Sequence, residues 1–295
     1  MWSMVKLLFL LLILVRSSWT QTRYITTIYP FQEIINPIIH GSAEIYTLLP
    51  PGASPHNYEV RPSDMKNMES AKALFMGGAH LDSWAYKFKN IRTIELIGLL
   101  PKQYLLFFNQ NSSSLELNES HQRDTLKEID PHFWTDPLAV KALLPALTDT
   151  LCALDALNSP NYIKNATKFS LELDNINLQI EKKLHHLRGK AVLLSHPFFR
   201  YYLKRFGIEI VGIIEVIPGT EPTARELKEL IQTIKKKNVM AILTHPQLSD
   251  RPARLVAEAT GIKVFELDPI GGSSGRTTYE EIMYYNTQIL LEALQ

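Results

Sequence analysis

Between Ser159 and Leu187 the chain runs for twenty-nine residues without a glycine and with one proline, Pro160, at its start. Within that run Ile163, Ala166, Phe169, Leu173, Ile176, Ile180 and Leu184 recur every three or four residues. That is the spacing of one helical face. Gly189 follows as a stop signal. At 1.5 Å per residue such a helix is roughly 42 Å long, enough to run along two lobes. It divides the chain into a segment 21–158, a connector 159–188 and a segment 189–295. With 295 residues, the length also suits about two domains at ~150 residues each.

Both flanking segments alternate short β-type runs with helical patterns. In the first, Tyr24–Ile28, Glu44–Leu49, Ala73–Met76 and Arg92–Ile94 read as strands, with helices over Phe31–His40 and Ser63–Lys72. In the second, Ala191–Ser195, Ile208–Glu215, Val239–Leu243 and Lys263–Glu266 read as strands, and Thr223–Lys236 and Arg251–Ala259 as helices. Thr223 with Glu226 forms a capping box. The expected class is therefore α/β: two lobes with parallel sheets flanked by helices, bridged by one long backbone helix. Gln103–Asp130 is polar and aperiodic and reads as a surface loop.

Residues 1–20 stand apart. Lys6 precedes an unbroken apolar run, Leu7–Val15, and small residues surround a cleavage point before Gln21. This is the pattern of a secretory signal peptide. Nine apolar residues are too few to cross ~30 Å of hydrocarbon, and no later stretch is expected to span. Losing Lys6 and Arg16 leaves 29 basic against 30 acidic residues, so no basic excess supports nucleic-acid binding. The single cysteine, Cys152, excludes an internal disulfide, a cysteine zinc site and lipid attachment near the cleavage point. A soluble, non-lipidated protein of the periplasm is expected.

Three of the nine histidines stand beside prolines in distinctive contexts. His56 lies in Pro-Gly-Ala-Ser-Pro-His-Asn-Tyr-Glu, His132 in Asp-Pro-His-Phe-Trp-Thr-Asp-Pro, and His196 in Ser-His-Pro-Phe-Phe. Asp268, in Leu-Asp-Pro-Ile-Gly-Gly, is a fourth group. Intervals of 76, 64 and 72 residues put two in each lobe. His196 and Asp268 follow apolar runs, and strand carboxyl ends are where parallel sheets bind ligands. Three imidazoles and a carboxylate can close a four-coordinate zinc site. Spacing this wide is not itself a motif, and a structural histidine is the commoner case.

In these four contexts, and in Gly219-Thr220-Glu221-Pro222-Thr223, the chain resembles the cluster A-I solute-binding proteins over nearly its whole mature length. These are the metal receptors of zinc and manganese ABC transporters. The resemblance implies two α/β lobes bridged by a long helix, with an ion held between them by His56, His132, His196 and Asp268. It implies Zn²⁺ as cargo, with Mn²⁺ or Fe²⁺ as the alternative, since imidazole suits zinc and carboxylate suits manganese. The partners implied are a membrane permease and a cytoplasmic ATPase, and a monomer is expected. Acid should weaken binding, because ligands must be deprotonated.

Two departures stand out. The family often has Glu where this chain has His245, and the polar loop holds one histidine, His121, rather than a histidine-rich run. His245, Glu59, Asp136 and Glu215 are candidates to support the ligands from behind, because metal-bound imidazoles usually donate their other N–H to a carboxylate or carbonyl. His40, His80, His185 and His186 read as surface or structural. A hydrolase is not expected: four protein ligands leave no open position for water, and no His-Glu-x-x-His occurs. A metal-stabilised adhesin is the remaining alternative, from the family alone.

Overall fold

The computed structural model describes residues 21–108, 129–215 and 223–295. The leader, most of the polar loop with His121, and Gly219–Pro222 lie outside them. β1 (Thr22–Thr26), β2 (Ala43–Thr47), β3 (Ala73–Met76) and β4 (Thr93–Glu95) pair in parallel in the order β2-β1-β3-β4. β5 (Ala191–Leu194), β6 (Glu209–Ile213), β7 (Val239–Thr244) and β8 (Lys263–Glu266) repeat the scheme as β6-β5-β7-β8. The central strands β3 and β5 are buried at every position. Continuous apolar runs are what strands covered on both faces require.

Helices cover the sheets: α1 (Tyr29–Ile39), α2 (Pro62–Met68), α3 (Pro137–Leu154) and, past the connector, α5 (Arg200–Arg205), α6 (Ala224–Lys236), α7 (Arg251–Thr260) and α8 (Tyr279–Leu294). The connector α4 spans Ser159–Leu184 and ends in a 3-10 turn, His185–Leu187. Its buried stripe is the expected one with one exchange. Ile163 is 58% exposed, and Tyr162 is buried in its place, donating to Asp155 Oδ2 at 2.8 Å. Thr223 caps α6 through the expected reciprocal pair with Glu226.

α4 packs against α1, α3 and α8. One continuous apolar cluster therefore runs from Ile28 and Phe31 of the first lobe through α3 and α4 to Leu267 and Met283 of the second. α3 departs from the expectation that nothing beyond the leader could span a membrane. Its 18 residues pass by length and composition. Half of them are buried, because α3 packs along α4.

Candidate metal centre

In open parallel sheets, ligands sit beyond the carboxyl ends of the strands where the winding order reverses. The first lobe reverses between β1 and β3, and that place is filled. Asp82, fully buried, accepts from the Thr27 hydroxyl at 2.6 Å and from the amides of Gly77 and Gly78 at 2.7 and 3.1 Å. The second lobe reverses between β5 and β7. His196 lies two residues past β5, His245 one past β7 and Asp268 two past β8. Leu194 pairs with Leu243, and the Ser195 amide donates to the Leu243 carbonyl. Two residues further along that register, His196 and His245 stand side by side.

The first lobe sends two imidazoles to this wall. His56 rides the loop between β2 and α2, where Trp84 Nε1 holds the Pro55 carbonyl at 2.7 Å. His132 sits on a segment strapped to the second lobe. Asp130 pairs with Arg200 at 2.9 Å, and Asp136 accepts from Arg205 Nε and Nη2 at 2.9 and 2.7 Å. Trp134 Nε1 donates to the Pro269 carbonyl at 2.8 Å.

The Nε2 atom of His56 is 3.4 Å from that of His132 and 3.2 Å from that of His196. One nitrogen from each ring falls within a 4.8 Å group. Tetrahedral Zn–N bonds of about 2.0 Å give N···N edges of roughly 3.3 Å. The protonation pattern suits such a centre. His196 Nδ1 lies 3.0 Å from the Glu215 carbonyl, which only accepts, so Nδ1 carries the hydrogen. His132 Nδ1 lies 2.7 Å from Asp130 Oδ1, which likewise receives a hydrogen. In both rings Nδ1 is thereby occupied and Nε2 is turned toward the other imidazoles. Burial, with repulsion from His132 and His245, drives the His56 pKa down to about 3. Burial and the other three imidazoles hold His196 well below its ordinary value. His56 and His196 are thus held as neutral donors, the form a metal needs.

The other candidates fall as follows. Asp268 is 5% exposed and is not among the atoms of the triad's 4.8 Å group. Its Oδ1 accepts from Gln247 at 3.2 Å and from the amides of Ile270 and Gly271 at 3.0 Å each, while Arg276 lies 3.3 Å from Oδ2. Glu59 is exposed and, among the described residues, bonds to no imidazole. Asp136 caps α3 through the Leu138 amide and serves Arg205 rather than a ligand. Glu215 does support His196, through its backbone carbonyl. His40, His80, His185 and His186 are exposed.

Sequence reasoning missed Asp130 as the carboxylate behind His132. The i, i+2 spacing with an intervening proline was the available signal, since Asp130 also accepts the His132 amide as an Asx turn does. It also missed Phe198, whose ring packs 4.6 Å from His132, 4.9 Å from His196 and 4.6 Å from His245. His245 is 4% exposed, and neither ring nitrogen reaches a partner in hydrogen-bonding geometry. Burial and His132 push its pKa down to about 3, with Gln247 acting against the shift. A buried orphan of this kind costs about 1–3 kcal/mol.

Comparison with known proteins shows the family and the fold. Residues 25–293 match the family described as zinc-uptake complex component A, periplasmic. A provisionally named metal-binding protein of Thermotoga maritima is 28% identical over 298 residues, covering 99% of this chain and 100% of that one. The high-affinity zinc uptake system protein ZnuA of Yersinia pestis is 26% identical over 264 residues, covering 84% and 82%. The solute-binding protein FpvC of Pseudomonas aeruginosa, solved with Mn²⁺, shares the fold at a TM-score of 0.78 and 23% identity, over 94% of this chain and 99% of that one. With the match running over nearly all of the described chain, this protein belongs to the family of the periplasmic component A of zinc-uptake complexes.

Proposed function

We propose that this chain is an extracytoplasmic receptor that captures one divalent transition-metal ion, Zn²⁺ foremost, and delivers it to the permease of an ABC transporter driven by a cytoplasmic ATPase. The observation that carries the reading is the convergence of three imidazoles, with His56 Nε2 3.2 and 3.4 Å from the other two, close to the roughly 3.3 Å edge of a tetrahedral zinc site. His56, His132 and His196 are the proposed ligands, with Asp268 a buried carboxylate close by that balances the ion's charge. Asp130 and the Glu215 carbonyl fix the tautomers of His132 and His196. Capture involves no chemistry on the ion. The protein supplies imidazole donors in a largely buried site, and release follows from loss of one or more of them. We further propose a monomer acting in the periplasm after cleavage of residues 1–20, without a lipid anchor.

Imidazole donors favour zinc over manganese in softness, and the affinity order favours zinc over both manganese and Fe²⁺. The test is a competition titration of Zn²⁺ against Mn²⁺ and Fe²⁺ on stripped mature protein, with the metal content of protein taken from its native compartment. One zinc per chain, lost in a folded His132→Ala variant, is the expected result. Native manganese or iron would reassign the cargo, and unaltered binding by His132→Ala would remove the site.

A further inference from the structure

We infer that His245 is a fourth nitrogen donor to the captured ion, so that the loaded centre holds four imidazoles. This rests on the receptor reading and concerns only the composition of its site. Three independent observations point to it.

The first is position. β5 and β7 are the adjacent strands at the second lobe's winding reversal, and their registered extensions carry His196 and His245. The second is spacing. Ring centroids within the triad lie 5.0, 5.4 and 5.5 Å apart. His245 lies 5.7 Å from His196, also edge to face. Four imidazoles on a tetrahedral ion, each with its centroid about 3.1 Å from the metal, stand roughly 5.1 Å apart. His245 itself stands outside the 4.8 Å group of ligand atoms, so joining that shell requires its ring to move toward His56 and His132, along the apolar wall that Phe198 makes for His196 and His245. The third is want of any other role. Nδ1 and Nε2 of His245 are both buried and unpartnered, and Gln247 Oε1 beside them is an orphan too. One nitrogen on the metal and an N–H toward Gln247 would satisfy all three atoms.

Asp268 is the opposite case. Two amides, Gln247 and Arg276 already surround its carboxylate. Three donors hold its Oδ1 and Arg276 faces its Oδ2, so in this proposal it balances the ion's charge from outside the donor shell. An all-nitrogen shell selects zinc, and with it cobalt and nickel, against the oxygen-preferring Mn²⁺.

Zinc-edge X-ray absorption on the loaded wild-type protein counts imidazoles directly, and no variant is needed for it to fold. Four imidazoles and no carboxylate oxygen in the first shell are expected. His245→Gln should then show three and weaken zinc at least tenfold while weakening Mn²⁺ little. Asp268→Asn should keep four. Three imidazoles with one oxygen in wild type, and an unchanged spectrum in His245→Gln, overturn this inference and leave the receptor standing. Failure of the wild-type protein to take up stoichiometric zinc overturns both.

Discussion

Acidifying the metal-free protein should destabilise it from about pH 6.5 downward, before its carboxylates begin to titrate. His56 and His245 are held near pKa 3 and His196 well below 6.5, in each case chiefly by burial. In the unfolded chain all three return to about 6.5. Below pH 6.5 the unfolded state therefore binds protons that the folded state refuses. Stability is full above pH 6.5 and falls as the pH drops toward 3. Each histidine contributes about 1.4 kcal/mol per pH unit, so the three together remove roughly 4 kcal/mol per unit. Against a total of ~5–15 kcal/mol for a natural domain, two units of acid are enough to unfold a protein at the lower end.

Two buried carboxyls run the other way. Burial raises the pKa values of Asp82 and Glu33, so the folded state takes their protons first and gains stability as pH falls. The histidine contribution is therefore read as a difference. Urea unfolding of chelator-stripped protein, followed by tryptophan fluorescence from pH 7.5 to 4.5, is compared with the same series for His56→Gln. The variant should lose about 1.4 kcal/mol per pH unit less than wild type below pH 6, with an unchanged m-value. Parallel slopes would refute the burial argument. The result bears on release as well. Protons compete poorly for imidazoles that are already neutral in the fold, so acid release near pH 5 would report opening of the site rather than direct competition. The sequence-based expectation of acid-weakened binding then acts through stability.

The remaining predictions address the supports of the site. Asp130→Asn removes the charge that orients the His132 ring and pairs Arg200, and should weaken zinc about 10–100-fold in a folded protein; equal affinity would make Asp130 a structural residue only. Gly271 has φ +69, and a Cβ there would stand 2.5 Å from the Ile282 side chain and 2.9 Å from the Arg276 carbonyl. Gly271→Ala should therefore cost about 2–4 kcal/mol in urea unfolding, and a neutral outcome would show that the turn cradling Asp268 relaxes freely. Zinc at a thousand times its dissociation constant should stabilise the fold by about 4 kcal/mol; an unchanged melting temperature on loading would mean that the triad is not the binding site.

Much of this was legible in the sequence because it is local. The apolar stripe of α4 reports its own helix, and Thr223 with Glu226 reports where α6 starts, since both depend on residues three or four apart. The exchange of Ile163 for Tyr162 shows the limit. Both lie near the helix start, and what decides between them is Asp155, outside the helix, which receives the tyrosine hydroxyl. The supports of the site divide in the same way. Asp136 before Pro137 is an N-cap, a role its local sequence announces, and that local duty is why it does not serve an imidazole. Glu59 is near His56 in sequence yet exposed. The Glu215 carbonyl reaches His196 because β6 lies beside β5. His245 depends on strand order most of all. No local pattern says that β7 lies next to β5, and with any other strand between them His196 and His245 would be one further strand spacing apart, roughly 5 Å. Motifs can count the donors in the chain, but the order β6-β5-β7-β8 determines which of them face one ion.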